Sequence, residues 1–155
     1  MRRGYLGQDI GCYLDADCGS ATPAISGTVT ISLNSAIASS GHFTLDTGND
    51  DITFLESGVY LVLFTFTADA SSASRATSRA WIQVDQGAGF STLVHTLRYG
   101  YNRNTSEGEN SVTCHAIIPA TGGVTKVRAQ CGMVSSTANV LESACSWSIS
   151  RLAAA

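Results

Sequence analysis

The segment Ile52–Ala70, ITFLESGVYLVLFTFTADA, constrains the fold more than any other part of this chain. It reads as a short strand, a Glu-Ser-Gly turn, and a long strand that is apolar on both faces. Side chains alternate across a strand, so Tyr60, Val62, Phe64 and Phe66 share one face. Val59, Leu61, Leu63 and the methyls of Thr65 and Thr67 share the other. A strand with one wet face alternates in polarity, and this one does not, so it needs cover on both sides. A second sheet covers one face. In a small all-β chain a copy of the same chain is the ready cover for the other, with a larger single sandwich as the alternative.

Charge supports the first option. Only 14% of the 155 residues are charged and Lys126 is the sole lysine, against about a quarter in ordinary domains. Sparse charge is what a surface buried against neighbours predicts. A net charge of −3 gives no footprint for a nucleic-acid backbone, and the Arg2-Arg3 pair is too small to supply one. No run approaches a membrane span. Met1-Arg2-Arg3 is followed by Gly4-Tyr5-Leu6-Gly7-Gln8-Asp9 where a signal peptide carries its apolar core, so a cytoplasmic origin is expected.

Residues 1–25 differ from the remainder. Gly4, Gly7, Gly11 and Gly19 are spread through them, periodicity is weak, and Pro23 ends them. The expectation is an extended anchoring arm carrying Arg2, Arg3, Tyr5, Leu6 and Tyr13, followed by one domain over 26–155. From Ser26 onward, runs of alternating residues are separated by turn signals, among them Thr47–Asp50, Gln86–Gly89 and Thr121–Gly123. Strands are expected over Ser26–Leu33, His42–Asp46, Arg75–Asp85, Phe90–Tyr101, Ser111–Pro119, Val124–Met133 and Val140–Leu152, besides the two in the opening segment. About eight to ten strands at this spacing predict an all-β antiparallel jelly-roll sandwich.

Ser57-Gly58-Val59-Tyr60-Leu61-Val62-Leu63-Phe64 resembles the Gly-x-Tyr core strand of the complement C1q and tumour necrosis factor superfamily. The closing strand Ser148-Ile149-Ser150-Arg151-Leu152 resembles that superfamily's terminal strand, so the likeness spans roughly residues 26–152. It implies a jelly roll that forms tight homotrimers, with aromatic and aliphatic side chains of the inner sheet meeting along the axis. By that carry-over Tyr60, Val62, Phe64 and Phe66 are trimer-interface or core residues. The chain departs from the animal members in having no collagen stalk and no disulfide pattern. Its Ala/Ser/Thr/Gly-rich character and glycine-bearing arm look like the versions carried by bacteriophages. The resemblance therefore implies a non-enzymatic virion protein, assembled in the bacterial host cytoplasm. Its arm would grip a larger capsid or tail protein, as a head decoration, cement or fibre component. The alternative is a tail-fibre knob that recognises host-surface glycan or protein.

For that alternative the loop Arg98–Asn110 offers Tyr99, Tyr101, Asn102, Arg103 and Asn104, since tyrosine beside Asn and Arg gives stacking plus directional hydrogen bonds. Asp46, Asn49, Asp50 and Asp51 crowd one loop with oxygens that suit calcium, yet EF-hand spacing is absent and Asp and Asn equally stabilise turns. No cofactor is expected. The five cysteines, Cys12, Cys18, Cys114, Cys131 and Cys145, are an odd number and read as free thiols, three of them in strands as small hydrophobes. His42, His95 and His115 are scattered, and Cys114 and His115 fall on opposite faces of one strand. There is no Gly-x-Ser-x-Gly elbow, and Glu56, Glu107, Glu109 and Glu142 imply no cleft.

Overall fold

The computed structural model describes residues 12–25, 27–70, 75–103 and 109–155. Among them the chain forms β1 (Tyr13–Cys18), β2 (Thr28–Thr30), β3 (Leu33–Ser39), β4 (Phe43–Asp46), β5 (Asp51–Phe54), β6 (Gly58–Ala70) and β7 (Ala76–Asp85). After these come β8 (Phe90–Thr92), β9 (Arg98–Asn102), β10 (Asn110–Ala120), β11 (Lys126–Ser135), β12 (Ala138–Val140) and β13 (Ser146–Ala154). One sheet runs β10-β6-β13-β1-β3, with β12 continuing beside β6. The other runs β4-β5-β11-β7-β8, with β2 on β11 and β9 on β7. Every pairing is antiparallel. This is the all-β jelly-roll sandwich that the alternating runs predict.

β6 is the spine of the first sheet. Along one edge it pairs with β10 from Gly58↔Ala120 to Ala68↔Asn110, and along the other with β13 and then β12. Its Tyr60, Val62, Phe64, Phe66 and Ala68 are fully buried against the opposite sheet, which contributes Ile52, Phe54, Ala80, Ile82, Val127 and Ala129. Two aromatic groups organise this interior. Phe43, Phe54 and Tyr60 pack edge-on or tilted with centroids 4.7–5.9 Å apart, and Phe64 lies 4.7 Å from Trp147. Burying each such ring is worth about 1.5–3 kcal/mol by transfer alone.

Several boundaries differ from the sequence expectation. Tyr13–Cys18, placed in the arm, is an interior strand between β13 and β3, and Leu14, Ala16 and Cys18 join the core. Ile25 is also buried, and its N–H donates to the Ala138 carbonyl at 2.9 Å. The jelly roll thus takes up residues that composition assigns to the arm. In β1 the charged Asp15 and Asp17 alternate with a single large inward residue, Leu14, and the small Ala16 and Cys18, so the strand reads as polar. Arg2, Arg3, Tyr5 and Leu6 lie outside the described residues. The expected strand over Phe90–Tyr101 is broken into β8, a 3-10 turn at Val94–Thr96, and β9. β3 leaves no sequence signal: as an edge strand rich in Ser and Ala that is mostly exposed, it has no alternation.

Candidate assembly face

The face of the six-stranded sheet turned away from the core is set by strand register. Ile117 stands opposite Leu61, Leu61 opposite Ser150, and Ser150 opposite Tyr13. The adjoining row is His115, Leu63, Ser148 and Asp15, and the next is Thr113, Thr65, Ser146 and Asp17. Pro119 pairs with Val59 beyond Ile117. Val59, Leu61 and Leu63 are only half-buried, by neighbouring side chains of their own sheet, while Ile117 is 63% and Tyr13 44% exposed. The apolar strip on β6 and β10 is therefore bare in a single chain, and small serines of β13 lie beside it.

Burial decides between the two roles expected of the β6 aromatic face. Tyr60, Val62, Phe64 and Phe66 are core residues with no exposed surface, so they are not available to meet a neighbouring subunit. The side of β6 that can do so carries Val59, Leu61 and Leu63. A strand apolar on both faces does not say which face looks inward; the aromatics do, because the larger rings fill the space between sheets.

The start of β6 is tied to the end of β13. Arg151 donates from Nη1 to Glu56 Oε2 (2.7 Å) and from Nη2 to the Ser57 carbonyl (2.6 Å). His42 Nδ1 lies 2.9 Å from the other Glu56 oxygen, and the Tyr60 hydroxyl donates to the Glu56 carbonyl at 2.9 Å. Gly58 sits inside this knot; a Cβ there would stand 2.6 Å from the Ala153 carbonyl. Glu56 thus serves as a structural hub.

The second group of candidates divides. Tyr99 and Tyr101 are 57% and 51% exposed on β9, and Arg103 is exposed beyond them. Asn102 is a correction: it is buried, its Nδ2 donates to the Ala68 carbonyl at 2.6 Å, and its Oδ1 accepts from Ser78. Strand alternation turns it inward between the outward Tyr101 and Arg103. Asn104 lies outside the described residues.

The acidic loop is occupied with holding itself together. Asp46 accepts from the Gly48 and Asn49 backbone N–H groups and from Asn49 Nδ2, bonds that hold its carboxyl below the usual carboxylate range, Asn49's side chain most of all. Asp50, in the left-handed region at φ 57°, accepts from the Leu33 N–H at 2.9 Å. Asp51 is buried, 3.4 Å from Lys126 Nζ. No group of three or more His, Cys, Asp or Glu side chains gathers to hold a metal among the described residues.

No protein-family model and no curated protein matches the chain. Solved structures do. Murine APRIL aligns at a TM-score of 0.63 and 10% identity, over 90% of this chain and 98% of that one. Eiger TNF from S. frugiperda aligns at 0.62 and 15%, over 93% and 94%. The globular domain of zebrafish complement 1qA aligns at 0.55 and 12%, over 91% and 97%. The chain has a TNF/C1q-like jelly-roll fold. The remaining carboxylates, histidines and thiols are dispersed over the fold. Glu142 is buried, with one oxygen accepting from the backbone N–H and hydroxyl of Ser32. Glu109 is exposed, and Glu107 lies outside the described residues. His95 is exposed and His115 lies 3.4 Å from Arg98 Nη2. All five thiols are free and buried. Burial pushes Cys114 and Cys131 up to about 12 and Cys145 up to about 11, with Cys18 raised further.

Proposed function

We propose that this chain is a non-enzymatic structural subunit that works as a homotrimer, closed through the outer face of its six-stranded sheet. One observation carries the reading: Val59, Leu61, Leu63 and Ile117 form a bare apolar strip on a sheet whose other face is already saturated by the core. Full burial of an Ile or Leu side chain contributes about 1.5–3 kcal/mol, so a few of them repeated around a closed ring supply a stable assembly. Sparse surface charge agrees with this. The biological setting we infer is a bacteriophage virion, assembled in the host cytoplasm. There residues 1–11 would anchor the trimer to a larger capsid or tail protein as a decoration, cement or fibre component. Repetition by symmetry would then give avidity from weak individual contacts.

Light scattering of the full chain tests the assembly. A mass near three times 16.2 kDa is expected. It should fall to that of a monomer when Leu61→Asp and Ile117→Asp are combined, and stay trimeric when residues 1–11 are removed. A monomeric parent would overturn the reading. Loss of the truncated chain, but not of the parent, from purified particles tests the anchoring role.

A second reading is favoured by the outward pair Tyr99 and Tyr101: recognition of a host-surface carbohydrate by the β9 edge. The two roles occupy different sheets and are compatible in one molecule.

A further inference from the structure

The outer face of the seven-stranded sheet has its own chemistry. Register places Tyr99 opposite Arg79 and Arg79 opposite Gly132; Tyr101 stands opposite Thr77, and Trp81 opposite Gln130. Trp81 is turned away from the core, between the inward Ala80 and Ile82, and is still 94% buried. The Arg79 guanidinium covers it with Cζ 5.4 Å from the ring centre. Arg79 Nε and Trp81 Nε1 are both buried donors without a partner among the described residues. Further along the same face Arg128 lies 4.1 Å over the Phe90 ring and donates to the neutral amide of Gln83 at 2.8 Å.

Charge on this face is unbalanced. Lys126 has Asp51 as its partner, and the Asp85 carboxylate is taken up by the Gly87 and Gly89 N–H groups of its own turn. Arg79 and Arg128 have no carboxylate partner among the described residues. Two guanidiniums thus remain on aromatic rings in a chain that is net negative. Arg75 and Arg103 are exposed and flank the rung Ala76↔Asn102 at the end of the strip. The arrangement combines exposed phenol faces for stacking with guanidinium forks that match a carboxylate bidentately. Tyr99 lies about 5 Å across the strands from Arg79, and Tyr101 about 7 Å along β9 from Tyr99.

We infer that this strip binds an acidic carbohydrate, with sugar rings on Tyr99 and Tyr101 and a uronic- or sialic-type carboxylate on Arg79. The inference rests on the carbohydrate reading above and adds to it the charge of the ligand and the role of Arg79. The occupant follows from charge complementarity: among the described residues the strip presents donors and cations around Arg79, Tyr99 and Tyr101, with its one carboxylate, Asp85, engaged by its own turn at the far end of β7. A nucleic acid suits it less, because a net charge of −3 and a few guanidiniums lack the backbone-tracking positive surface that such ligands need.

The test uses the full chain in affinity electrophoresis through gels containing polygalacturonate, hyaluronate or polysialic acid. Methyl-esterified polygalacturonate, dextran sulfate and oligothymidylate serve as controls. At least one carboxylated polymer should retard the protein, with methyl esterification weakening binding at least about tenfold where polygalacturonate is the ligand. Arg79→Gln should weaken it about as much. Tyr99→Ala, at an exposed position where folding is not at stake, should weaken it several-fold. Equal binding of the esterified and free polymers, still lost in Tyr99→Ala, would overturn the acidic ligand and leave the carbohydrate reading standing. Equal binding of dextran sulfate or oligothymidylate, indifferent to Tyr99→Ala, would overturn both in favour of a general polyanion surface. Retardation by none of the polymers would also overturn both.

Discussion

Arg151, near the end of the last strand, reaches back to Glu56 in the turn that opens the longest strand, with Nη1 2.7 Å from Oε2. The Arg151 side chain is only 9% exposed, whereas Glu56 is open to water on one side. Replacing Glu56 by Ala takes one carboxylate away from a nearly buried guanidinium, and also removes the partner of His42. An unsatisfied buried donor costs about 1–3 kcal/mol, and access of water to the Glu56 side places the loss toward the lower end. Thermal melting of Glu56→Ala should drop by about 2–6 °C, on the scale for chains of this length. Glu56→Gln, which keeps an acceptor, should drop by less. An unchanged melting point in Glu56→Ala would mean that the knot does not form.

The two faces of β6 should respond to substitution in opposite ways. Phe64→Ala opens a cavity beside Trp147 and removes a fully buried ring, so a loss of about 3–5 kcal/mol in chemical denaturation is expected. Leu61→Ser, on the bare face, should alter monomer stability by less than about 1 kcal/mol while lowering the assembled mass measured by light scattering. If Leu61→Ser leaves the mass untouched, the assembly face lies elsewhere.

How far the sequence carries is visible on this same strand. Two-sided apolarity from Val59 to Phe66 was legible and led to the jelly roll and to a missing cover. It did not say which side looks inward, because alternation is symmetric; that depends on which residues fill the gap between sheets. β1 was hidden for a related reason. Of its inward residues Leu14, Ala16 and Cys18 only the first is large, its outward Asp15 and Asp17 are charged, and the glycines on either side read as a tether. Asn102 reads as a loop residue in the sequence, whereas β9 imposes alternation on Tyr101 and Asn102. The Arg79–Trp81 stack had no sequence signal beyond a tryptophan in an alternating strand, since the partners across from it come from β9 and β11.

Calcium should leave the protein unaffected. The Asp46 carboxylate already accepts three donors from Gly48 and Asn49, Asp50 is engaged with the Leu33 N–H, and Asp51 is held beside Lys126. A calcium ion takes six to eight oxygens, and these three carboxylates serve separate structural partners. Melting curves in millimolar calcium and in excess chelator should coincide within about 1 °C, at the limit of what a weakly bound ligand could produce. A clear calcium-dependent rise would show that the loop rearranges to bind. Asp46→Ala should instead loosen the turn whether or not calcium is present.

The buried thiols make alkaline pH the sensitive direction. Cys114 and Cys131 are pushed from 9.0 to about 12, and Cys145 to about 11, in each case chiefly by burial. The folded chain therefore keeps these protons over a range in which the unfolded chain has released them. Stability from this source is whole below about pH 9 and falls as pH rises toward 12. The slope is at most about 1.4 kcal/mol per pH unit for each thiol that is ionised only when unfolded. Chemical denaturation from pH 7 to 11 should give a midpoint that is flat with respect to these groups up to about 9 and then declines. Iodoacetamide at pH 8 should spare all five cysteines in the native protein and label all five in guanidinium, because burial opposes reaction at each and scarcity of thiolate adds to it at Cys18, Cys114, Cys131 and Cys145. Rapid labelling of Cys114 or Cys131 under native conditions would mean that the two sheets separate far more readily than their shared core allows.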